Sequence, residues 1–204
     1  MFKFEFMNRI YWCFFTMALM VSCASVYDMN AVELYQQNLK QEWENPKTTP
    51  LQEDEKANFK GITFFPVNKK YAVQADFTKI ENGQTIPFPT SAKKIKHYKA
   101  YGKLHFELDG EELELTVYQS DPPIEGYETS LFLPFTDETN GQSTYGGGRY
   151  LDLEISDIKN DKLRIDFNKA YNPYCAYSKY YNCPIPPAEN HLEIEINSGV
   201  TYTE

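Results

Sequence analysis

From Phe64 onward, apolar and polar residues alternate through most of the chain: YAVQADF, KLHFEL, ELELTVY, LFLPF, RYLDLEI, KLRIDF and LEIEIN all switch sides residue by residue. A period of two belongs to strands with one face on a core and the other in water, the habit of antiparallel sheets. The clearest unit is KLHFELDGEELELTVY, residues 103–118. Leu104, Phe106 and Leu108 share one face, Asp109-Gly110 supplies a two-residue turn, and Leu113, Leu115 and Val117 return on the same face. That pattern predicts a β-hairpin. KKIKHYK, residues 93–99, reads as a solvated loop or an edge strand whose lysines discourage pairing with another chain.

Upstream the period lengthens. In NAVELYQQNLKQEWENP, Val32, Tyr35, Leu39 and Trp43 recur at helical spacing and Pro46 ends the pattern, which predicts an amphipathic helix over 29–44. TPLQEDEKANFKG predicts a second short helix, with Thr49 as cap, Pro50 at the first helical position and Gly61 as the stop. Two leading helices, seven or more strands and no internal repeat predict a mainly β, α+β fold. It would be an antiparallel sandwich or a partly open β-barrel covered by helix.

The first residues follow neither period. Lys3 and Arg9 precede an apolar run of 12 residues from Ile10 to Val21, with small residues around Ser22 and Ala24. A spanning helix needs about 20 residues, so the run reads as the core of a secretory signal. MVSC, ending at Cys23, resembles a bacterial lipobox, with Met20 where leucine is usual. The resemblance implies a signal peptide over 1–22, lipidation of Cys23, a tether over 23–28 and a single β-rich domain over 29–204. It implies a place in the bacterial cell envelope, and Ala24 after the lipidated position points to the outer membrane. Cys13 leaves with the signal, so of the four cysteines Cys175 and Cys183 remain as a pair.

Charge excludes some partners. The chain carries a formal −9, and removing Lys3, Glu5 and Arg9, net +1, leaves −10 for residues 23–204. So acidic a surface repels phosphate backbones and anionic headgroups. Nucleic acid is therefore excluded as a partner, and membrane contact is left to the N-terminal lipid anchor.

Two segments depart from the regular β pattern. TYGGGRYLDLE, residues 144–154, sets Gly146, Gly147 and Gly148 before Arg149, so backbone N–H groups and a guanidinium could face one concavity suited to carboxylate or phosphate. No Gly-Lys-Ser/Thr ending or helix follows, which argues against a nucleotide loop. The equally open alternative is a bulged turn, with Arg149 paired to an acidic neighbour such as Asp137 or Asp152. DFNKAYNPYCAYSKYYNCPIPP, residues 166–187, is a long loop rich in Asn, Tyr and Pro. In an oxidising compartment Cys175 and Cys183 are expected to form a disulfide. A metal site adding His191 has loose spacing and is the weaker alternative, so no metal and no cofactor is expected.

Three blocks are similar to a known family: FKGITFFPVNKKYAVQADF, LFLPFTDETNGQSTYGGGRYLDLE and LRIDFNKAYNPYCAYSKYYNCPIPPAENHLEIEI resemble domain of unknown function 1684 over most of residues 30–200. The resemblance implies a domain extent and no catalytic roles. The leading expectation is an envelope-tethered binding domain. Its polar pocket would lie between the glycine-arginine turn and the cysteine-proline loop, lined by Tyr145, Gly146–Gly148, Arg149, Asn172, Glu189 and Asp137, for an anionic small molecule or a glycan. Asp137, Glu138 and Glu189 offer paired carboxylates, and the alternative is a hydrolase of a cell-envelope or sugar substrate using Asp137 or Glu189 as acid or base; a structural or assembly lipoprotein is a third, and no catalytic residue is assigned.

Overall fold

The alternating segments assemble into one eight-stranded sheet that curls into a half-barrel, accompanied by two helices. The computed structural model describes residues 27–202; the expected signal peptide, Cys23 and most of the tether lie outside the described residues. The strands are β1 (Ala72–Lys79), β2 (Thr85–Pro89), β3 (Ile95–Leu108), β4 (Glu111–Ser120), β5 (Ser130–Asp137), β6 (Arg149–Glu154), β7 (Lys162–Asp166) and β8 (His191–Leu192). They run in the order β6-β5-β4-β3-β1-β7, with β2 on β3 and β8 on β5. Every pairing is antiparallel except the short β5–β8 contact.

The hairpin is β3–β4, with Leu108 opposite Glu111. Asp109 and Gly110 both take positive φ, +57° and +82°, as the tightest hairpin turn requires. The lysine-rich segment is part turn and part strand: Lys93 and Lys94 lie in the exposed turn before β3, and Ile95–Lys99 pair with β2, with β4 joining on the other side only from Tyr98. The sequence pattern does not predict β2, because TIPFP holds two prolines, which are tolerated in a strand of this kind only at a sheet edge.

Strand β3 contains the device that gives the sheet two apolar faces. Its register against β4 shifts between Ala100 and Gly102. One extra residue at a bulge reverses which parity faces which side. Below the bulge Gly102, Leu104, Phe106 and Leu108 join Leu115, Leu133, Phe135, Leu151, Leu163 and Ile165 in the main core. Above it, Tyr98 falls on the opposite face with Tyr118 and Phe132. Gly102 is needed there because a Cβ would stand 2.2 Å from the Phe77 ring.

A second device separates β4 from β5, which pair only at Tyr118 and Phe132. Pro134 has no N–H to continue the ladder. Asn190, fully buried, fills the gap: its side chain accepts from the Thr116 N–H at 2.8 Å and donates to the carbonyls of Thr116 at 2.8 Å and Pro134 at 2.7 Å. The terminal LEIEIN segment consequently joins the ladder only at His191–Leu192. Beyond it, Ile196 is buried in the core without being part of a strand.

Helix α1 (Met29–Glu44) matches the periodic segment, and Asp28 caps it by accepting from the Ala31 N–H. It docks by Gln36, which donates to the Asn168 carbonyl at 2.9 Å, and by Trp43, which sits in a smaller core with Leu51, Ile62 and Val200. Helix α2 is shorter than predicted, Glu53–Lys56, with Gln52 and Glu55 rather than Thr49 and Pro50 forming its capping box. Leu51 is buried in that smaller core, so the chain is committed to packing before the helix starts.

Candidate functional site

The glycine-arginine turn and the cysteine-proline loop do meet, but they close on one another. Gly148 takes φ +85°, and a Cβ there would lie 2.7 Å from the Phe135 carbonyl and 2.8 Å from Pro186. A Cβ on Gly147 would stand 2.4 Å from the Tyr145 ring, whereas around Gly146 there is room for a side chain. Arg149 is fully buried. Its guanidinium donates to Asp137 Oδ2 at 2.7 Å, to the Ile196 carbonyl at 2.8 Å and to the Ser198 carbonyl, and lies 5.2 Å from the Phe135 ring centre. Burial lowers its pKa while Asp137 opposes that shift, and an arginine so paired keeps its charge. The side chain therefore has no face open to a ligand; it ties the C-terminal segment to the core.

The other expected site residues are dispersed. Asp137, also buried, accepts from the Thr139 N–H at 2.9 Å as well as from Arg149. Tyr145 packs edge-on against Tyr202 with ring centres 5.2 Å apart. Asn172 is buried beneath the disulfide loop, donating to the Tyr177 hydroxyl at 2.7 Å. Glu189 accepts from the Tyr118 hydroxyl at 3.0 Å, and Glu138 contacts His191 at 3.1 Å. These carboxylates do not converge on one pocket. Among the described residues, no group of three His, Cys, Asp or Glu is placed to hold a metal ion.

The disulfide joins Cys175 and Cys183, with Cα atoms 6.1 Å apart. Its loop is fixed to the end of β2: the Ser91 N–H donates to the Cys183 carbonyl at 3.0 Å, and the Ile185 N–H to the Pro89 carbonyl at 2.9 Å. The Tyr181 hydroxyl fastens it to the Pro50 carbonyl at 2.8 Å, and the Tyr150 hydroxyl donates to the Pro184 carbonyl.

So braced, the loop walls a cleft of about 570 Å³ between α1 and the sheet face opposite the main core. One wall is an aromatic ladder across three strands and the start of the loop: Tyr98 stacks on Phe132 at 5.2 Å, Phe132 meets Tyr150 at 4.8 Å, and Tyr150 meets Tyr171 at 5.9 Å. Tyr181, Tyr174 and Trp43 continue edge-on along the other side, at 4.8 and 5.4 Å. The charged groups of the lining are Asp152, Glu42 and Lys96.

Asp152 stands opposite Phe132 in the β5–β6 register and its Oδ2 accepts from the Tyr171 hydroxyl at 2.8 Å. Asp152 is an exposed residue, and desolvation by its surroundings raises its carboxyl from the ordinary value; the Tyr171 hydrogen bond opposes the shift and the Glu154 charge adds to it. Burial first and the charge of Asp152 second push the Tyr98 phenol up to about 12 and Tyr171 well above its ordinary value.

One sequence signal bears on both outcomes. In RYLDLE the parity that carries Leu151 and Leu153 into the core carries Arg149 with them, and leaves Tyr150 and Asp152 on the cleft face. The aromatic cleft itself draws on α1, β3, β5, β6 and the loop, so no single motif announces it.

A solution NMR structure of an uncharacterised protein from Haloarcula marismortui is similar over 85% of this chain and 93% of that one, with 31% identity and a TM-score of 0.66. No curated protein matches. A family model described as "Protein of unknown function (DUF1684)" matches residues 57–201. Spanning well over half of the 204 residues, that match makes the chain a member of the DUF1684 family.

Proposed function

We propose that this protein is a lipid-anchored protein of the bacterial cell envelope that binds a small ligand in the aromatic cleft between α1 and the disulfide loop. The observation that carries the reading is the cleft's construction: aromatic side chains from helix, sheet and loop line one hollow of about 570 Å³, and a disulfide crosslinks the loop that forms one wall. Ligand sites are concave, largely apolar and provided with a few convergent polar groups, which is this composition. The site is displaced from the one the glycine run suggested, and so is the expected ligand. With Asp152 and Glu42 against Lys96, the lining is net negative and disfavours an anion.

The anchor follows from the signal-like leader and Cys23. Tyr27 already touches the fold, its hydroxyl donating to Asp166 at 3.0 Å. The four residues from Cys23 to Tyr27 reach at most about 14 Å. The start of α1 would therefore face the membrane closely, with outer-membrane delivery consistent with Ala24. A purely structural role would favour one broad apolar surface, whereas the exposed large apolar residues come from separate elements, among them Leu34, Ile95 and Tyr127.

The test has two arms. Cys23→Ala should move the protein from the membrane to the soluble fraction. A thermal-shift screen of envelope-derived small molecules should yield compounds that raise Tm for the wild type and not for Tyr98→Ala. A Cys23→Ala protein still in the membrane refutes the anchor, and shifts that persist in Tyr98→Ala refute the cleft.

A further inference from the structure

The charge pattern of the cleft narrows the class of ligand it suits, given the ligand-binding role proposed for it. Asp152 is a carboxylate on an aromatic wall, held by one tyrosine hydroxyl through Oδ2. Among the described residues it takes part in no ion pair, although it also borders a neighbouring hollow lined by Lys159, Arg164 and Lys169. The nearby arginine of its own strand, Arg149, points to the opposite face and is committed to Asp137. Asp152 is solvent-exposed, and its carboxylate presents an unpaired negative charge at the aromatic wall. The tyrosines around it are arranged on several sides: Tyr171 by direct hydrogen bond, Tyr35 and Tyr98 close enough that its charge helps raise their phenol pKa values after burial has done so. Glu42 adds a second negative group from α1.

We propose that the cleft accepts an organic cation, an ammonium centre carrying apolar substituents, seated against the tyrosine faces with its charge toward Asp152. The chemistry is complementary at each point. Aromatic faces present the negative part of the ring quadrupole, and they favour a cation whose charge is spread over alkyl groups because such a cation gives up little hydration. The carboxylate adds a Coulomb attraction that the low-dielectric walls strengthen. An anion meets Asp152 and Glu42, and an uncharged sugar leaves Asp152 without a counter-charge. A free ammonium compound fits better than a zwitterionic lipid headgroup, since the lining sets two carboxylates, Asp152 and Glu42, against a single cation, Lys96, that could take a phosphate next to the ammonium.

The experiment is a titration of the isotope-labelled mature protein, read by NMR shifts of cleft tyrosine resonances, with four probes. They are choline, its uncharged isostere in which carbon replaces the ammonium nitrogen, phosphocholine, and N-acetylglucosamine as a neutral sugar. Choline should bind tightest, with the isostere and phosphocholine each weaker by about tenfold. Asp152→Asn should erase most of the preference for choline over the isostere. Asp152→Glu should restore part of that preference, which separates charge from folding. If the isostere or the sugar binds as well as choline, the cation assignment falls and the ligand-binding cleft stands. Phosphocholine binding as tightly as choline overturns the assignment of a free cation. If no probe moves any cleft resonance, the cation assignment and the cleft reading both fail.

Discussion

Replacing Arg149 with alanine separates a structural arginine from a ligand-binding one. The side chain has no exposed surface, and the substitution removes hydrogen bonds to Asp137 Oδ2 at 2.7 Å, to the Ile196 carbonyl at 2.8 Å and to the Ser198 carbonyl. It leaves Asp137 as an unpaired buried carboxylate, still holding the Thr139 N–H at 2.9 Å. Removing one partner of such a pair costs about 3–5 kcal/mol, most of it the penalty of stranding the other charge. With a urea m-value of about 2–3 kcal/mol per molar, the unfolding midpoint should fall by roughly 1–2.5 M. Trp43, buried in the smaller core, reports the transition by fluorescence. Asp137→Asn alone should also destabilise. Changing both residues to apolar ones of similar size, Arg149→Met with Asp137→Leu, should recover part of the loss, because no charge is then stranded. A midpoint that hardly moves in Arg149→Ala, together with lost ligand binding, would refute the reasoning and return the arginine to the site.

Asp152→Asn should raise Tm at neutral pH. Because the folded-state carboxyl is raised above its unfolded value, its contribution favours folding fully below the unfolded pKa and is lost as the pH rises through the folded one. The variant's advantage should therefore shrink as pH falls through the carboxylate range, and a variant less stable than wild type at pH 7 contradicts this. Asn190→Ala should cost roughly 2–4 kcal/mol in urea unfolding, since it strands the Thr116 N–H between strands that no longer bond there; a loss under about 1 kcal/mol would mean β4 and β5 re-pair without it. Replacing Cys175 and Cys183 together by serine should cost about 2.5 kcal/mol by the loop-entropy relation for an eight-residue separation, and should loosen the cleft wall, visible as faster amide exchange in the loop. Unchanged stability and exchange would show that the hydrogen bonds to Ser91 and Pro89 hold the loop unaided.

Much of the fold is legible where one period acts alone. The helix at Met29–Glu44 and the hairpin around Asp109-Gly110 carry their own caps, turns and faces, and both form as the pattern predicts. The failures share a cause: tertiary partners override local pattern. Two prolines hide β2, which persists because its edge position asks little of their missing N–H groups. LEIEIN alternates like a strand, yet past Leu192 it leaves the ladder, held instead through Asp137, Arg149 and the Glu138 N–H. For the site, unusual composition draws attention to Gly146–Arg149, although the alternation of RYLDLE already places Arg149 with the core leucines. The disulfide is expected from compartment and count, and it forms. The tyrosine cleft needs five separate segments and a bulge that reverses the parity of β3, and neither is readable from spacing along one strand.

The most direct test is native mass spectrometry of the protein released from its own membranes, wild type beside Tyr98→Ala and Phe132→Ala. A cleft built to hold a ligand predicts a small-molecule adduct on the wild type that both folded variants lose. An adduct retained undiminished by both, or a wild type that carries none and gains none when the envelope extract is added back, would contradict the account.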